Sequence, residues 1–337
     1  MIRYVIVGAG AIGSTLAAQL HLAGTEVVLV ARGEHLRTLR ERGLTYTRPT
    51  VRHQLDLTAV GHPDEVARLR SGDVLVFATK AQDVEAAADQ WAWRPVETAD
   101  ACRGTAAEVL PVVTLQNGID SERTALRRFT TVVGASIAVR ATFLEPGKVS
   151  SHGESAGRIW LGKYPAGIDA ATAGIAADLA RAGFSVRPVP DILGWKAAKL
   201  LTNLMNILVA LYRASELREQ VAHQAVQEAR EVFATAGIGL AETAAAERIG
   251  LSAVSGTADS GRDGWQGNST WQSLARGASV ETNYLNGEIV LLGRMHGVPT
   301  PVNAALQRVA AHACTAGPGP ASQGDDELRA ALGLPRS

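Results

Sequence analysis

Short apolar runs alternate with longer amphipathic or alanine-rich runs over the first 190 residues. Most of the short runs are apolar at consecutive positions, which is typical of strands buried on both faces of a parallel sheet. The runs between them predict helices over 34–42 and 168–182, and a further helix that opens at 80–84. The predicted strands cover residues 4–7, 26–30, 73–78, 109–115, 132–135 and 184–188. This order predicts an α/β domain with a doubly wound parallel sheet, and two alternating runs over 149–152 and 158–161 predict a hairpin at its edge.

The pattern changes after Pro188 and Pro190, which mark a predicted domain boundary. Beyond them the apolar positions recur at helical spacing, so the second domain is expected to be all-helical. Its predicted helices cover 191–211, 215–236, 239–248, 270–295 and 299–315. A run rich in Gly, Ser and Asp over 252–268 predicts a mobile loop over the cleft, and alternating Gly and Pro over 317–320 predict a linker. The expected organisation is a domain over 1–189, a helical domain over 190–316 and a flexible, weakly helical tail over 317–337.

The loop after the first predicted strand carries the G-x-G-x-x-G pattern over residues 8–13. Between a strand and a helix, the first glycine allows the tight turn, the second lets the backbone approach a pyrophosphate, and the third lets the helix pack closely. The helix N-terminus then offers N–H groups and a partial positive charge to phosphates. This context predicts a Rossmann-type dinucleotide site, and the alternative is a purely structural turn. The predicted cofactor-binding residues of the turn are Gly8, Gly10, Ala11, Ile12 and Gly13.

The end of the second predicted strand indicates which dinucleotide binds. NAD-binding versions of this fold usually place an acidic residue there to hold the ribose 2′-hydroxyl, whereas this chain has Arg32. A guanidinium pairs with a 2′-phosphate and stacks on the adenine, and an acid would repel that phosphate. We therefore predict NADP(H) as the cofactor. In the alternative interpretation, Arg32 is a solvated loop residue and Glu34 holds the ribose.

Composition narrows the range of partners. The 337 residues suffice for two domains, and 46% hydrophobic with 20% charged residues is typical of a globular chain with a large core. A net charge of zero gives no support for binding to nucleic acid or an anionic membrane. No apolar run reaches the ~18 residues that cross a bilayer, and a strand at residue 4 leaves no room for a signal peptide, so we expect a cytoplasmic protein. Cys102, Cys314 and the eight histidines match no ligand spacing, which predicts free thiols and no metal site.

Polar residues interrupt the apolar helix that is predicted over 191–211. Lys199, Asn203 and Asn206 are spaced i, i+4 and i+7, which places them on one stripe of a continuous helix. A lysine and two amides on a buried helix need polar partners or a polar cleft. Two interpretations remain equal at this point. Either the stripe lines a cleft, or Lys199 lies at the wet end of the helix and the asparagines cap neighbouring backbone.

Six motifs in this order resemble the ketopantoate reductase family, and the resemblance covers residues 1 to about 312. The motifs are the glycine turn, Arg32 with residues 33–36, residues 79–81, residues 115–118, Lys199 with Asn203, and Ser269 with Glu281 and residues 284–287. The resemblance implies a Rossmann-type domain followed by a helical domain. It also implies NADPH-dependent reduction of 2-dehydropantoate, a 2-oxo acid, to pantoate in pantothenate biosynthesis.

The resemblance implies a role for each candidate residue. Hydride transfer to a carbonyl carbon leaves an alkoxide that needs a proton, and Lys199 would be the general acid. Glu281 would hydrogen-bond a substrate hydroxyl and hold the lysine in place. The remaining implied site residues are Asn203, Asn206 and Ser269 for substrate oxygens, Asn117 to bind the cofactor and to orient the substrate near the nicotinamide, and Lys80 for the cofactor or the substrate carboxylate.

The chain departs from the family pattern near both catalytic candidates. The family often has a second asparagine eight residues after the lysine, whereas this chain has Ile207 there and Asn206 one position earlier. Around the acid the family often reads Thr-Glu-Ile-Asp, whereas Thr282 and Asn283 follow Glu281 here. These departures leave the identity of the substrate open.

Three functional hypotheses follow from the sequence. The first is reduction of 2-dehydropantoate, and the second is reduction of a different ketone or an imine in a specialised pathway. The third is a non-catalytic regulator that binds NADPH, against which the presence of both Lys199 and Glu281 argues, since a sensor needs neither. The expected partner is a small-molecule 2-oxo acid or ketone. Long apolar helices in the second half are compatible with a homodimer and equally with packing within one chain.

Overall fold

The computed structural model describes residues 2–97, 104–153, 155–241, 267–316 and 321–335. The chain divides into two compact units. The first is Met1–Gln116 with Asp120–Ile192, and the second is Asn117–Ile119 with Leu193–Ser337. The division therefore falls three residues after the predicted boundary at 189, and Asn117–Ile119 belongs with the helical unit although the sequence places it in the first domain.

Every strand that the structure describes lies in the first unit. In chain order the strands are β1 (Arg3–Val7), β2 (Glu26–Val30), β3 (Leu44–Arg48), β4 (Val51–Leu55), β5 (Thr58–Val60), β6 (Leu69–Arg70), β7 (Asp73–Phe77), β8 (Pro95–Glu97), β9 (Gly104–Thr105), β10 (Val112–Thr114), β11 (Val132–Ala138), β12 (Ala141–Thr142), β13 (Lys148–Ser151), β14 (Arg158–Lys163) and β15 (Ser185–Pro188).

The main sheet has eight strands in the order β15-β14-β11-β10-β7-β1-β2-β5. The strands from β11 to β5 all run parallel, whereas β14 is antiparallel to β11 and β15 runs parallel to β14. The sheet is therefore mixed at one end. Its central strands β1 and β7 are buried along their whole length, as their apolar runs predict. The predicted doubly wound α/β fold is confirmed.

The helices are distributed over both units. In chain order they are α1 (Ala11–Leu22), α2 (Gly33–Arg42), α3 (Val84–Ala92), α4 (Ala106–Val109), α5 (Ser121–Leu126), α6 (Ala170–Arg181), α7 (Ile192–Asn203), α8 (Asn206–Leu211), α9 (Glu216–Thr235), α10 (Ser269–Ala275), α11 (Asn286–His296), α12 (Pro301–Ala316) and α13 (Asp325–Leu332), with 3-10 turns at Pro63–Glu65, Ala81–Asp83 and Thr282–Tyr284.

The predicted hairpin of 149–152 with 158–161 is wrong. Strand β13 pairs in parallel with β3 and antiparallel with β12, in a separate four-stranded sheet of order β12-β13-β3-β4. Strand β14 lies between β11 and β15 of the main sheet. Burial gives the physical reason, because alternate residues of β13 are buried whereas four consecutive residues of β14 are. The first pattern suits a half-exposed sheet and the second a sheet covered on both faces.

Three further predictions of local structure differ from the fold. The predicted strand over 109–115 is shorter, because Thr105 and Glu108 form a capping box that turns Ala106–Val109 into helix. The predicted helix over 270–295 is divided into α10, a 3-10 turn and α11. The predicted flexible tail also differs, since α13 is docked through Leu328, which is fully buried. The predicted helix over 239–248 is not formed at 239–241, and its remaining residues 242–248 lie outside the described residues, as do residues 252–266 of the predicted loop over 252–268, Cys102 and the linker over 317–320.

Among the described residues, two apolar clusters belong to the core of the second unit. One joins α7, α9 and α11 and includes Leu200, Leu204 and Phe233. The other joins α8, α9, α12 and α13 and includes Ile207 and Leu306. Within the described ranges, none of the helices combines the length and the apolar character that crossing a membrane requires. The same residues contain no cluster of three or more His, Cys, Asp or Glu side chains arranged to hold a metal ion.

Candidate active site

The turn between β1 and α1 depends on glycine at two positions. Gly8 has a φ of +110°, and a Cβ there would lie 2.7 Å from the backbone nitrogen of Thr79. A Cβ on Gly13 would lie 1.9 Å from the carbonyl oxygen of Gly8 and 3.1 Å from Cβ of Ala78. The turn is thus folded back on its own helix and rests on the segment that follows β7. These contacts leave no room for a larger residue at either position.

Gly10, the second glycine of the turn, differs from Gly8 and Gly13 because it faces open space. Gly10 has a φ of −74°, and a Cβ there would meet no atom within 4 Å. It is the N-cap of α1 and carries no side chain that could accept the first helical N–H groups. The amides of Ala11, Ile12 and Gly13 therefore begin α1 without a side-chain cap. Uncapped N–H groups at a helix N-terminus are what an anion-binding turn requires.

Arg32 lies just beyond the end of β2, and its side chain is exposed. It is the N-cap of α2, so the backbone enters the helix with the guanidinium free to reach outward. Glu34 lies in the first turn of the same helix and pairs with Arg37 at 3.5 Å. Lys80 is partly buried and precedes the 3-10 turn Ala81–Asp83 after β7. These positions share the carboxyl ends of neighbouring parallel strands with the glycine turn, where ligands of such sheets bind.

Lys199 and Asn203 lie one helical turn apart on α7 of the second unit. Both are partly buried, although Leu200 between them is fully buried in the helical core. The side-chain oxygen of Asn203 is inaccessible to water and has no hydrogen-bond partner among the described residues. A buried amide oxygen without a partner costs about 1–3 kcal/mol, so this atom is a place where a ligand can supply the missing donor.

The surroundings of Lys199 lower its pKa from the ordinary lysine value. The pKa of Lys199 is lowered to about 7, chiefly by burial and also by the charge of Lys196, while the charge of Glu281 acts in the opposite direction. Lys196 lies one turn earlier on α7 and is 3% exposed. Glu281 precedes the 3-10 turn Thr282–Tyr284 and is not within a helix, in contrast to the predicted helix over 270–295. The tertiary structure thus places the charge of Glu281 where it acts on the pKa of Lys199.

The predicted continuous helix over 191–211 is wrong, because the chain is interrupted at Leu204 and Met205 between α7 and α8. Nδ2 of Asn286 donates a hydrogen bond to the carbonyl of Leu204 at 3.0 Å. Asn206 consequently begins a new helix and does not extend the stripe formed by Lys199 and Asn203. Ile207, where the family often has asparagine, is 1% exposed and packs in the apolar core.

Ser269 and Asn206 are brought near each other by an asparagine that the sequence did not single out. Asn268 caps α10 by accepting a hydrogen bond from the Trp271 amide at 2.9 Å. Its Nδ2 donates to the carbonyl of Asn206, also at 2.9 Å. Ser269 follows immediately and is exposed. An asparagine just before a predicted helix is an N-cap signal, so the local sequence could have indicated Asn268.

Asn117 is part of the second unit, and the two residues that follow it pack within that unit. A Cβ on Gly118, whose φ is +83°, would lie 2.5 Å from the carbonyl oxygen of Tyr284. Ile119 packs in the cluster that contains Leu200 of α7 and Leu285. Asn117 is therefore joined by packing to the segments that carry Lys199 and Glu281. Sequence reasoning gave no role to Lys196 and Asn268, and it used Asn286 only as part of the family motif over 284–287. Of these three residues, only Asn268 has a local structural signal.

Family models account for most of the chain. The model described as ketopantoate reductase PanE/ApbA matches residues 4–166, and the model for the C terminal of ketopantoate reductase PanE/ApbA matches residues 191–313. These matches, over a doubly wound unit and a helical unit, define the class, an oxidoreductase that acts on a carbonyl group with a nicotinamide cofactor. Within that class the chain belongs to the ketopantoate reductase PanE/ApbA family.

Known proteins with related sequences or folds span nearly the whole chain. The 2-dehydropantoate 2-reductase of Archaeoglobus fulgidus is 27% identical, over 90% of this chain and 95% of its own length. The crystal structure of a PanE/ApbA family ketopantoate reductase from Ralstonia eutropha JMP134 is 27% identical and has a TM-score of 0.74, with 92% and 97% of the two chains covered. The structure of D-mandelate dehydrogenase with NADH and anilino(oxo)acetate has a TM-score of 0.79 at 22% identity, over 93% and 99%, and shares the fold.

Proposed function

We propose that this protein reduces a 2-oxo acid to the 2-hydroxy acid with NADPH, and that 2-dehydropantoate is its substrate. The observation that carries the proposal is the arrangement on α7. A lysine with a pKa of about 7 lies one turn from the buried, unpartnered amide oxygen of Asn203. A carbonyl that is being reduced needs a proton donor and fixed polar contacts, and these two residues offer both.

Lys199 is the proposed general acid. When bound, NADPH supplies the hydride that the substrate carbon accepts. The ammonium of Lys199 donates a proton to the carbonyl oxygen as that oxygen gains negative charge, and the neutral amine is reprotonated from solvent. A pKa of about 7 suits this task, because proton donation is most efficient when the pKa of the acid lies near the working pH.

The other site residues bind and orient the substrate in this proposal. Glu281 raises the pKa of Lys199 and so keeps more of the lysine protonated, and it also accepts a hydrogen bond from a substrate hydroxyl. Asn203, Asn206 and Ser269 bind substrate oxygens. Asn117 orients the reacting carbonyl.

The residues of the first unit fit NADPH. The open N-terminus of α1 beside Gly10 suits a pyrophosphate, and the absence of a Cβ there allows the close approach of a phosphate to the backbone. The exposed Arg32 suits a 2′-phosphate. Lys80 adds a further positive charge for the cofactor or the substrate carboxylate.

One observation favours a different ketone as a second candidate substrate. Ile207 packs among apolar side chains in the place where the family often has an amide. The next residue along a helix points about 100° away, so Asn206 does not present its amide in the same direction as a residue at 207. A substrate that needs one polar contact fewer would fit this arrangement.

The test is NADPH oxidation, followed by absorbance, with purified protein and 2-dehydropantoate. The variants are Lys199→Met, which keeps the length of the side chain without its charge, and Lys199→Arg, which keeps the charge without titrating near neutral pH. We expect both to lower kcat by ~100-fold or more and to leave the Kd for NADPH, measured by fluorescence, within about twofold.

The outcomes separate the hypotheses. Turnover of 2-dehydropantoate that both variants abolish supports the substrate and the acid together. NADPH binding with turnover only of other ketones or imines favours the second candidate. Tight NADPH binding with no turnover of any carbonyl indicates a regulator, and undiminished turnover in Lys199→Met removes the lysine from the mechanism.

A further inference from the structure

Gln116 lies two residues after the end of β10 and is 5% exposed. The proposed mechanism gives it no role. Its side-chain nitrogen Nε2 donates to two backbone carbonyls of the neighbouring chain segment. One is the carbonyl of Phe77, at 2.8 Å, and the other is that of Thr79, at 2.9 Å. Both hydrogens of the amide are thus used on the end of β7 and on the loop that follows it.

These two hydrogen bonds continue the sheet beyond the point where its strands stop pairing. Thr114 of β10 lies opposite Phe77 of β7, and the Leu115 amide donates to the Phe77 carbonyl at 3.1 Å. Past this point, the side chain of Gln116 reaches Thr79, two residues farther along. An asparagine would be one methylene shorter, and a glutamate would present an acceptor to two other acceptors, so the site suits glutamine.

The segment that Gln116 holds supports the glycine turn. Gly8 lies so close to it that a Cβ there would be 2.8 Å from the Ala78 carbonyl carbon and 2.7 Å from the Thr79 nitrogen. The Ala78 amide also donates to the Val7 carbonyl at 2.8 Å, just before the turn. Lys80 is the next residue after Thr79. Any displacement of the Thr79 carbonyl therefore moves both the support of the turn and the lysine that follows it.

We infer that Gln116 is a positioning residue of the cofactor site, which acts by fixing Ala78 and Thr79 behind the glycine turn and beside Lys80. The inference rests on the proposed function, since it takes the turn and Lys80 as the cofactor-binding elements. The two hydrogen bonds that Nε2 of Gln116 donates go to backbone carbonyls, so it acts through the residues it holds. Loss of its two hydrogen bonds weakens cofactor binding more than it affects the oxo-acid substrate.

The experiment compares Gln116→Met, which keeps the bulk but no donors, with the matched control Thr114→Val. The control lies two residues earlier, at the end of β10, and removes a buried hydrogen bond from Thr114 to Glu122, 2.6 Å long, without touching the β7 loop. Fluorescence titration gives the Kd for NADPH, steady-state kinetics give the two KM values and kcat, and thermal unfolding gives Tm. We expect Gln116→Met to raise the Kd and the KM for NADPH by about tenfold or more, and the KM for the oxo acid by less than about threefold.

The control separates positioning from general loosening of the domain. We expect Thr114→Val to lower Tm and leave the Kd for NADPH within about twofold of wild type. An unchanged Kd in Gln116→Met, or an equal rise in both variants, overturns the inference and leaves the proposed function standing. Wild-type protein that binds no NADPH overturns the proposed function, and the inference with it, before any variant is compared.

Discussion

Gly13→Ala tests whether the glycine turn is packed so closely that the carbonyl oxygen of Gly8 excludes a side chain at position 13. The added Cβ would lie 1.9 Å from the Gly8 carbonyl oxygen, whereas an ordinary contact is at least 3.4 Å. The oxygen would have to retreat by roughly 1.5 Å, the difference between these distances. Gly8 cannot yield easily, because its amide is bonded to the Val30 carbonyl at 3.1 Å and its Cα lies against Ala78 and Thr79.

The expected loss of stability follows from this clash. Overpacking of a well-packed site costs typically 1–3 kcal/mol, and we place Gly13→Ala at the upper end, about 3 kcal/mol, because the obstacle is backbone. For a folding unit of about 190 residues, each kcal/mol shifts Tm by about 2–4 °C. The variant should therefore unfold about 6–12 °C below wild type in a thermal scan followed by circular dichroism.

Gly10→Ala is the matched control, because a Cβ there meets no atom within 4 Å and the φ of −74° suits alanine. It should change Tm by no more than about 2 °C, since a substitution without new contacts changes stability by about 0.5 kcal/mol or less. The proposed function adds that it should weaken NADPH binding, because the methyl group occupies the approach of the phosphate. A wild-type Tm in Gly13→Ala, or equal losses in both variants, would refute this account of the turn.

Three further predictions follow from other parts of the structure. The kcat/KM of wild type should fall as pH rises through about 7, because Lys199 of the free enzyme loses its proton and about a tenth stays protonated one pH unit higher. Glu281→Gln should move this fall to lower pH, and a pH–rate profile that does not move contradicts the coupling. Arg32→Asp should raise the KM for NADPH by roughly tenfold or more and the KM for NADH much less, as steady-state kinetics with both cofactors would show. Tyr4→Phe removes the 2.7 Å hydrogen bond to buried Asp178. It should lower the free energy of unfolding, measured in urea, by about 1–3 kcal/mol and leave kcat unchanged, and an unaltered urea midpoint would argue against that bond.

Local sequence determined the elements whose chemistry is local. The apolar runs of β1, β2 and β7 specify buried strands, and the glycines at 8 and 13 specify a tight turn directly after β1. The position of Arg32 at the end of β2 follows from the same run. Each of these features depends on backbone conformation or on the burial of neighbouring residues, which a window of about ten positions already contains.

Contacts between distant segments decided the rest. The interruption between α7 and α8 coincides with a hydrogen bond to the Leu204 carbonyl from Asn286, 82 residues away. The pairing of β13 with β3 joins residues about 100 positions apart, so the run over 149–152 could not show which sheet it enters. The pKa of Lys199 is set by burial and by charges that include Glu281, which lies outside any helix. Sequence periodicity reports the burial of a face, whereas the partner that buries it and the charges that surround it exist only once the chain has folded.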